Sequence, residues 1–224
     1  MQRLSLLFIA LLGFAMLVRA QEHRSRDLYM GYEMGDESGN PSAGQPGAKV
    51  TVALSRKGVV QMVSPEAVFR SGDRVRFHLA LNFNGYLVVL NKGTSGRINR
   101  LYPYIGAPDP VQASAQLVVP GKEAWFVFDK TPGIEEVTFV MSKEPIEELE
   151  GLAKGGTTGQ DGELSESSAP GGGEQRSLRA LSNRAQQKSR DLHLEISDNA
   201  AYGVTSEQEL LGLVKFTVFL KHEK

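Results

Sequence analysis

The sequence predicts a mainly β protein: an antiparallel β-sandwich, immunoglobulin-like or jelly-roll-like, with one or two short helices and a disordered glycine-rich insertion. Three observations carry that prediction. Between residues 49 and 152, short apolar runs alternate with a period of two, the spacing that puts every second side chain on one face of a sheet. Turns built on glycine, proline and asparagine punctuate those runs at short intervals. No strand is followed by a long amphipathic helix and a second strand, which is the pattern a parallel sheet requires.

The first twenty residues read as an export signal. Arg3 supplies a positive start, Leu4 to Val18 form an apolar run broken by Ser5 and Gly13, and Val18-Arg19-Ala20 offers a cleavage site before Gln21. The run is shorter than the roughly 20 apolar residues of a spanning helix, so cleavage after Ala20 is expected, with no stable membrane span afterwards. The expected destination is the periplasm or the outside of the cell. Residues 21–48 are polar and rich in glycine and proline, as in Gly35-Asp36-Glu37-Ser38-Gly39-Asn40-Pro41. Such a segment buries too little apolar surface to offset chain entropy, and a flexible leader is expected. Tyr29, Met30 and Tyr32 are its one group suited to docking on the domain.

The sandwich is expected over residues 49–152. Val50, Val52 and Leu54 alternate with Thr51 and Ala53, Arg56-Lys57-Gly58 reads as a hairpin turn, and Val59 to Val63 as the return strand. Ser71-Gly72-Asp73 is a further turn. In Arg74 to Asn82, Val75, Phe77, Leu79 and Leu81 share one face and Arg74, Arg76, His78 and Ala80 the other. Asn84-Gly85 is a tight-turn signal before Tyr86-Leu87-Val88-Val89-Leu90, an apolar run that predicts a central strand covered on both faces. A turn over 92–96 leads to a strand over Arg97 to Tyr102. Pro103 to Pro110 is a proline-rich loop, and strands return at Gln116 to Val119, Glu123 to Phe128 and Glu136 to Ser142. A helical turn or two is expected over Glu144 to Leu152.

Residues 153–175 are expected to be a disordered insertion, since Gly155 to Gly173 carries seven glycines among serine, threonine and acidic residues. Residues 176–224 are expected to supply a short helix and C-terminal strands that complete the sheet. Leu178, Leu181 and Ala185 fall at helical spacing, Leu192 to Ile196 alternates as a strand, and Val214, Phe216, Val218 and Leu220 share one face of a last strand.

Composition narrows function by exclusion. Lys and Arg number 25 against 26 Asp and Glu; removing Arg3 and Arg19 with the signal leaves 23 against 26, a charge of −3. That balance argues against a nucleic-acid partner. With no cysteine, thiolate catalysis, disulfides, Cys-based zinc sites and a lipidated cysteine anchor are all excluded.

The run Val68-Phe69-Arg70-Ser71-Gly72-Asp73-Arg74-Val75-Arg76-Phe77, followed by Asn84-Gly85-Tyr86-Leu87-Val88-Val89-Leu90, resembles the bacterial domain-of-unknown-function family 4384 (DUF4384). So do Gly96-Arg97, Leu101-Tyr102-Pro103, Val119-Pro120, Trp125-Phe126-Val127-Phe128 and Met141-Ser142-Lys143-Glu144-Pro145. The resemblance covers residues 63–149. It implies a compact β domain of bacterial envelope proteins, attached to varied partners, with no established catalytic residues to carry over.

Motifs that would carry chemistry are missing. The four histidines, His23, His78, His193 and His222, show no H-x-H or H-x-x-x-H spacing and read as surface residues, so no metal is expected. Gly93-Thr94-Ser95-Gly96-Arg97 leads into a strand instead of a helix, and Glu123 follows Gly121-Lys122 where a P-loop needs a hydroxyl, so no nucleotide cofactor is expected. No G-x-S-x-G elbow occurs. Glu144, Glu147, Glu148 and Glu150 share a helical face and read as a solvated surface. Candidate binding residues are an aromatic and basic set, Arg97, Arg100, Tyr102, Tyr104 and Trp125, of the kind enriched at protein interfaces. The expectation is a non-enzymatic, cofactor-free exported module that mediates protein–protein interaction or assembly in the bacterial envelope, with an envelope protein as partner. Carbohydrate or peptidoglycan binding, through aromatics stacked on sugar rings, is the alternative, followed by an envelope hydrolase.

Overall fold

Period-two alternation becomes two sheets that face each other. The computed structural model describes residues 24–34, 44–103, 106–149, 162–163, 172–206 and 208–224. Its elements begin with α1 (Ser25–Met34), β1 (Gly47–Arg56), β2 (Val59–Val63), β3 (Val68–Arg70), β4 (Arg74–Leu81), β5 (Tyr86–Lys92) and β6 (Ile98–Tyr102). They continue with β7 (Leu117–Val119), β8 (Phe126–Val127), β9 (Gly133–Ser142), a 3-10 turn at Glu147–Leu149, β10 (Gly162–Glu163) and α2 (Gly172–Lys188). The chain ends with β11 (His193–Ser197), β12 (Ala200–Val204), a 3-10 turn at Glu209–Leu211, and β13 (Val214–Glu223). The export signal expected over 1–20 lies outside the described residues.

The first sheet runs β10-β8-β4-β1-β12-β11, with β2 on β1 and β7 on β4; the second runs β3-β13-β9-β5-β6. Pairing is antiparallel except for β10 on β8 and β3 on β13. This is the mainly β sandwich that the alternation predicts. The core lies between the inner faces, where Val50, Val52, Leu54, Val75, Phe77 and Leu79 of the first sheet meet Leu87, Val89, Val137, Phe139, Phe216 and Val218 of the second. Phe139 stacks on Phe216 at 5.1 Å and meets Phe77 edge-on at 6.0 Å, the offset and edge geometries that aromatic quadrupoles favour. Burying so many branched and aromatic side chains is the main stabilising term of the fold.

Each outer face carries a helix. The central β5 is covered on both sides, as its continuous apolar run predicts: Leu87 and Val89 face the core, and Val88 and Leu90 pack with Val140 beneath Leu178, Leu181 and Ala185 of α2. Where composition predicts a flexible leader, residues 25–34 form α1, which buries Tyr29 against Ala200, Tyr202 and Val204. Asn82 holds this helix in place: its Nδ2 donates to the carbonyls of Tyr29 (2.9 Å) and Gln45 (3.1 Å), and its Oδ1 accepts from Gly47 N at 2.7 Å. A buried amide with its polar atoms matched in this way adds to the docking that Tyr29 and Leu28 supply. Of the insertion expected over 153–175, the described residues belong to β10 and the first turn of α2.

One turn differs from its sequence signal. Asn84-Gly85, which reads as a hairpin turn, instead carries the chain from β4 in the first sheet to β5 in the second. Its hydrogen bonds go elsewhere: Gly85 exchanges two with Val111, and Asn84 Oδ1 accepts from Ala113 N at 2.8 Å. A Cβ on Gly85 would stand 2.5 Å from the Ser142 carbonyl oxygen, so only glycine fits this crossing. Asp198 and Asn199, both at positive φ, make the two-residue turn between β11 and β12. The strand β12 has no sequence signal, because Ala-Ala-Tyr-Gly-Val offers neither alternation nor bulk.

Candidate functional site

The five residues singled out by sequence fall into separate settings. Arg97 is exposed in the turn before β6. Arg100 is buried: one guanidinium nitrogen donates to the Gly106 carbonyl at 2.7 Å and the other lies 3.4 Å from Glu174 of α2. Burial pushes the Arg100 pKa down, partly offset by Glu174. A register shift in the β5–β6 pairing gives β6 an extra residue beside Val89, so both Leu101 and the half-buried Tyr102 pack against the main core. Burial, with Asp109, raises the Tyr102 phenol. Tyr104 lies outside the described residues. Trp125 immediately precedes β8 of the other sheet, half-buried with the Arg76 guanidinium 4.2 Å above its ring. The structure therefore places Arg100 and Tyr102 on one edge strand and Trp125 beside the opposite sheet.

Three other features stand out. The first is the hairpin β1–β2. Its two-residue turn, Lys57-Gly58, has both residues at positive φ, the geometry that matches strand twist. Along β2, Val59, Val60 and Met62 are 65%, 52% and 45% exposed, and among the described residues β1 is the only strand that pairs with β2. The base of the hairpin is clamped. Asp73, buried after the Ser71-Gly72 turn, accepts from Arg56 Nη2 at 2.6 Å and Nε at 2.9 Å, and from Arg70 N at 2.8 Å. Hydrogen bonding to Asp73 raises the Arg56 pKa against partial desolvation.

The second is a groove of about 380 Å³ between α2 and the outer face of the second sheet. Across its floor, Lys92 pairs with Glu136 at 2.9 Å and the hydroxyls of Thr138 and Thr217 meet at 2.9 Å. Lys215 Nζ donates to Ser182 of α2 at 2.9 Å; burial lowers its pKa, Glu136 opposing and Lys92 assisting that shift. Asn183 and Gln186 line the helix side, and Phe219, 58% exposed, lines the sheet side. The helix wall is tied down at both ends: Gln175 exchanges hydrogen bonds with the backbone of Ile98, and Ser189 accepts from Lys215 N at 2.8 Å.

The third is a polar row at the end of the core, where Asn91, Glu135 and His222 are all buried. His222, read from sequence as a surface histidine, occupies an inward position of β13: it follows Leu220 by two residues and so shares its face. Its Nε2 lies 3.1 Å from the Ser71 hydroxyl, its ring 5.0 Å from Phe128, and among the described residues its Nδ1 makes no hydrogen bond. Asn91 Nδ2 donates to Glu135 at 3.1 Å. Desolvation raises the Glu135 pKa, Asn91 opposes the rise, Asp129 adds to it and His222 opposes it. A serine beside a histidine is half of a nucleophile–base pair, but acyl transfer also needs donors aimed at the developing oxyanion. The nearest backbone donors are committed within the fold: Ser71 N to Glu223, Gly72 N to Phe128 and Asp73 N to Arg70. Among the described residues no group of three or more His, Asp or Glu is placed to hold a metal ion.

The hairpin edge, the groove and His222 escape sequence reasoning because each depends on which strands become neighbours. The one local signal available was Val59 to Val63, five residues without a charge on a strand after a tight turn.

Residues 68–145 match the family model described as Domain of unknown function (DUF4384), the family that the run from Val68 to Phe77 and the turn-and-aromatic order after it resemble. No curated protein and no solved structure matches the chain.

Proposed function

We propose that this chain is an exported β-sandwich module of the bacterial envelope that acts by binding another protein, and that the free edge of β2 is the contact. The observation that carries this reading is the outer edge of β2, which no strand pairs among the described residues. Natural edge strands discourage pairing with charges, prolines or bulges, whereas Val59-Val60-Gln61-Met62-Val63 has none of these and exposes apolar side chains on both faces. Such an edge suits strand addition, in which an extended segment of the partner takes up the open backbone groups and alternate side chains supply specificity. The Arg56–Asp73 clamp holds the hairpin at a fixed angle, reducing the ordering cost of binding. The apolar stretch after Arg3 supports export.

In-cell crosslinking of a C-terminally tagged copy, with mass spectrometry of the envelope fraction, tests the reading. A stoichiometric protein partner is expected, lost on Val60→Lys with Met62→Lys and kept in Arg97→Glu and Tyr102→Ala. Capture that ignores the β2 substitutions, or that fails with Arg97→Glu or Tyr102→Ala instead, moves the contact away from β2 and overturns the assignment. A monomer with no partner removes the interaction reading altogether.

A further inference from the structure

We propose that the groove between α2 and the outer face of the second sheet binds a carboxylate-bearing saccharide unit, its ring lying on Phe219 and its carboxylate on Lys215. This site lies on the sheet opposite β2 and stands independently of the protein-binding reading.

The lining sets the ligand class. An exposed aromatic ring on a sheet, flanked by hydroxyls and amides, fits a molecule with one C–H-rich face and many hydroxyls, which is a sugar ring. Phe219 supplies the ring; Thr138, Thr217, Asn183 and Gln186 supply donors and acceptors. Charge then selects among sugars. The groove holds two lysines and one glutamate: Glu136, beside Phe219 in the sheet register, pairs with Lys92 at 2.9 Å and also acts on Lys215, which leaves one net positive charge. Lys215 has three donor positions and gives one to the neutral Ser182 hydroxyl. Its side chain is half-buried, and burial disfavours the charged form. An incoming carboxylate relieves that cost, whereas a neutral or cationic ligand does not. The volume of about 380 Å³ is at the lower end of ligand pockets and suits one or two sugar units. Because α2 is fixed to the sheet by the Ser182, Ser189 and Gln175 contacts, the groove exists before ligand arrives.

Titration calorimetry on the purified protein tests this, with glucuronate carrying the carboxylate on the ring, N-acetylmuramate carrying it on a side arm, and glucose and acetate as comparisons. At least one acidic sugar is expected to saturate the protein with a Kd of about 1 mM or tighter, and glucose to bind at least about tenfold more weakly. Which of the two binds separates an acidic polysaccharide from peptidoglycan as the source. Phe219→Ser, at an exposed position that the fold does not need, and Lys215→Met are each expected to weaken binding about tenfold. The proposal is overturned if neither acidic sugar saturates, if Phe219→Ser binds like the parent, if glucose equals the acidic sugars, or if acetate displaces them, which would leave a plain anion site.

Discussion

Replacing Asp73 by alanine is the perturbation with the widest reach, because one buried carboxylate joins β1, β3 and β4. Its side chain is 5% exposed and that of Arg56 is 33% exposed. Two separate groups lose their acceptor: the Arg56 fork, bound at 2.6 and 2.9 Å, and the Arg70 N–H, bound at 2.8 Å. A hydrogen bond to a charged group contributes about 1.5–3 kcal/mol net, and a donor left unsatisfied in a buried place costs about 1–3 kcal/mol. The guanidinium is open enough to rehydrate and keeps the Val68 carbonyl at 3.0 Å, so its share falls at the low end. The sum is a loss of about 2–4 kcal/mol, well above the 0.2–1 kcal/mol of an exposed pair. Urea unfolding followed by the fluorescence of Trp125, the single tryptophan, measures it. In an Arg56→Met background the same substitution is expected to cost about 1–3 kcal/mol less, the coupling of a close pair. Hydrogen exchange over Val59–Val63 is expected to rise in Asp73→Ala as the hairpin base loosens. A loss below about 1 kcal/mol, or an equal loss with and without Arg56, refutes the clamp.

Two further outcomes follow from burial. Leu181 is fully buried between α2 and β5, so Leu181→Ala is expected to cost about 2–5 kcal/mol in urea unfolding and to raise proteolysis within α2; an unchanged midpoint would mean that the helix does not depend on this contact. Glu135 has its pKa raised in the fold, mainly by desolvation, so the native state holds its proton more tightly than the unfolded chain. Its contribution to stability is complete below the ordinary carboxylate range and is lost as pH rises through the elevated value. Glu135→Gln is therefore expected to flatten the decline in unfolding midpoint from acid toward neutral pH, and a decline of the same slope in both proteins would exclude Glu135 as its cause.

Much of the sandwich is legible because alternation and turn chemistry agree. The strand Arg74–Leu81 and the doubly covered Tyr86–Lys92 are both set by their own side chains. What cannot be read locally is sheet membership. Asn84-Gly85 has the residues of a hairpin turn, yet partners at Val111 and Ala113, more than 25 residues on, bend it into a crossing between sheets. Ala200–Val204 becomes a strand because β1 and β11 flank it and α1 covers it, and Gly203 is required where Phe216 approaches, since a Cβ there would stand 2.5 Å from the ring. Tertiary pairing overrides weak β-propensity in such a segment. The candidate residues show the same division. Arg100 reads as part of an aromatic and basic interface set, but α2, which lies over 70 residues away in sequence, brings Glu174 to it, and the side chain is buried.

The stretch that matches the family model is smaller than the unit that folds. Residues 68–145 contain β3 to β9. Without β1, the first sheet loses the strand that pairs with β4 along eight residues and brings Val50, Val52 and Leu54 to the core. Without β13, the second sheet loses nine paired residues along β9, and β3 loses its neighbour. Open edges of that length, beside an exposed apolar face, are unstable in water. The flanking segments therefore complete the core as well as extending it. They also hold the features with functional promise: the β2 edge, the α2 wall, Lys215 and Phe219. The matched stretch supplies the scaffold, namely the Asp73 carboxylate, the Asn84-Gly85 crossing and the floor residues Lys92 and Glu136. Both proposed sites thus depend on residues that the family match does not reach, and a shared match in another chain carries the scaffold without carrying either site complete.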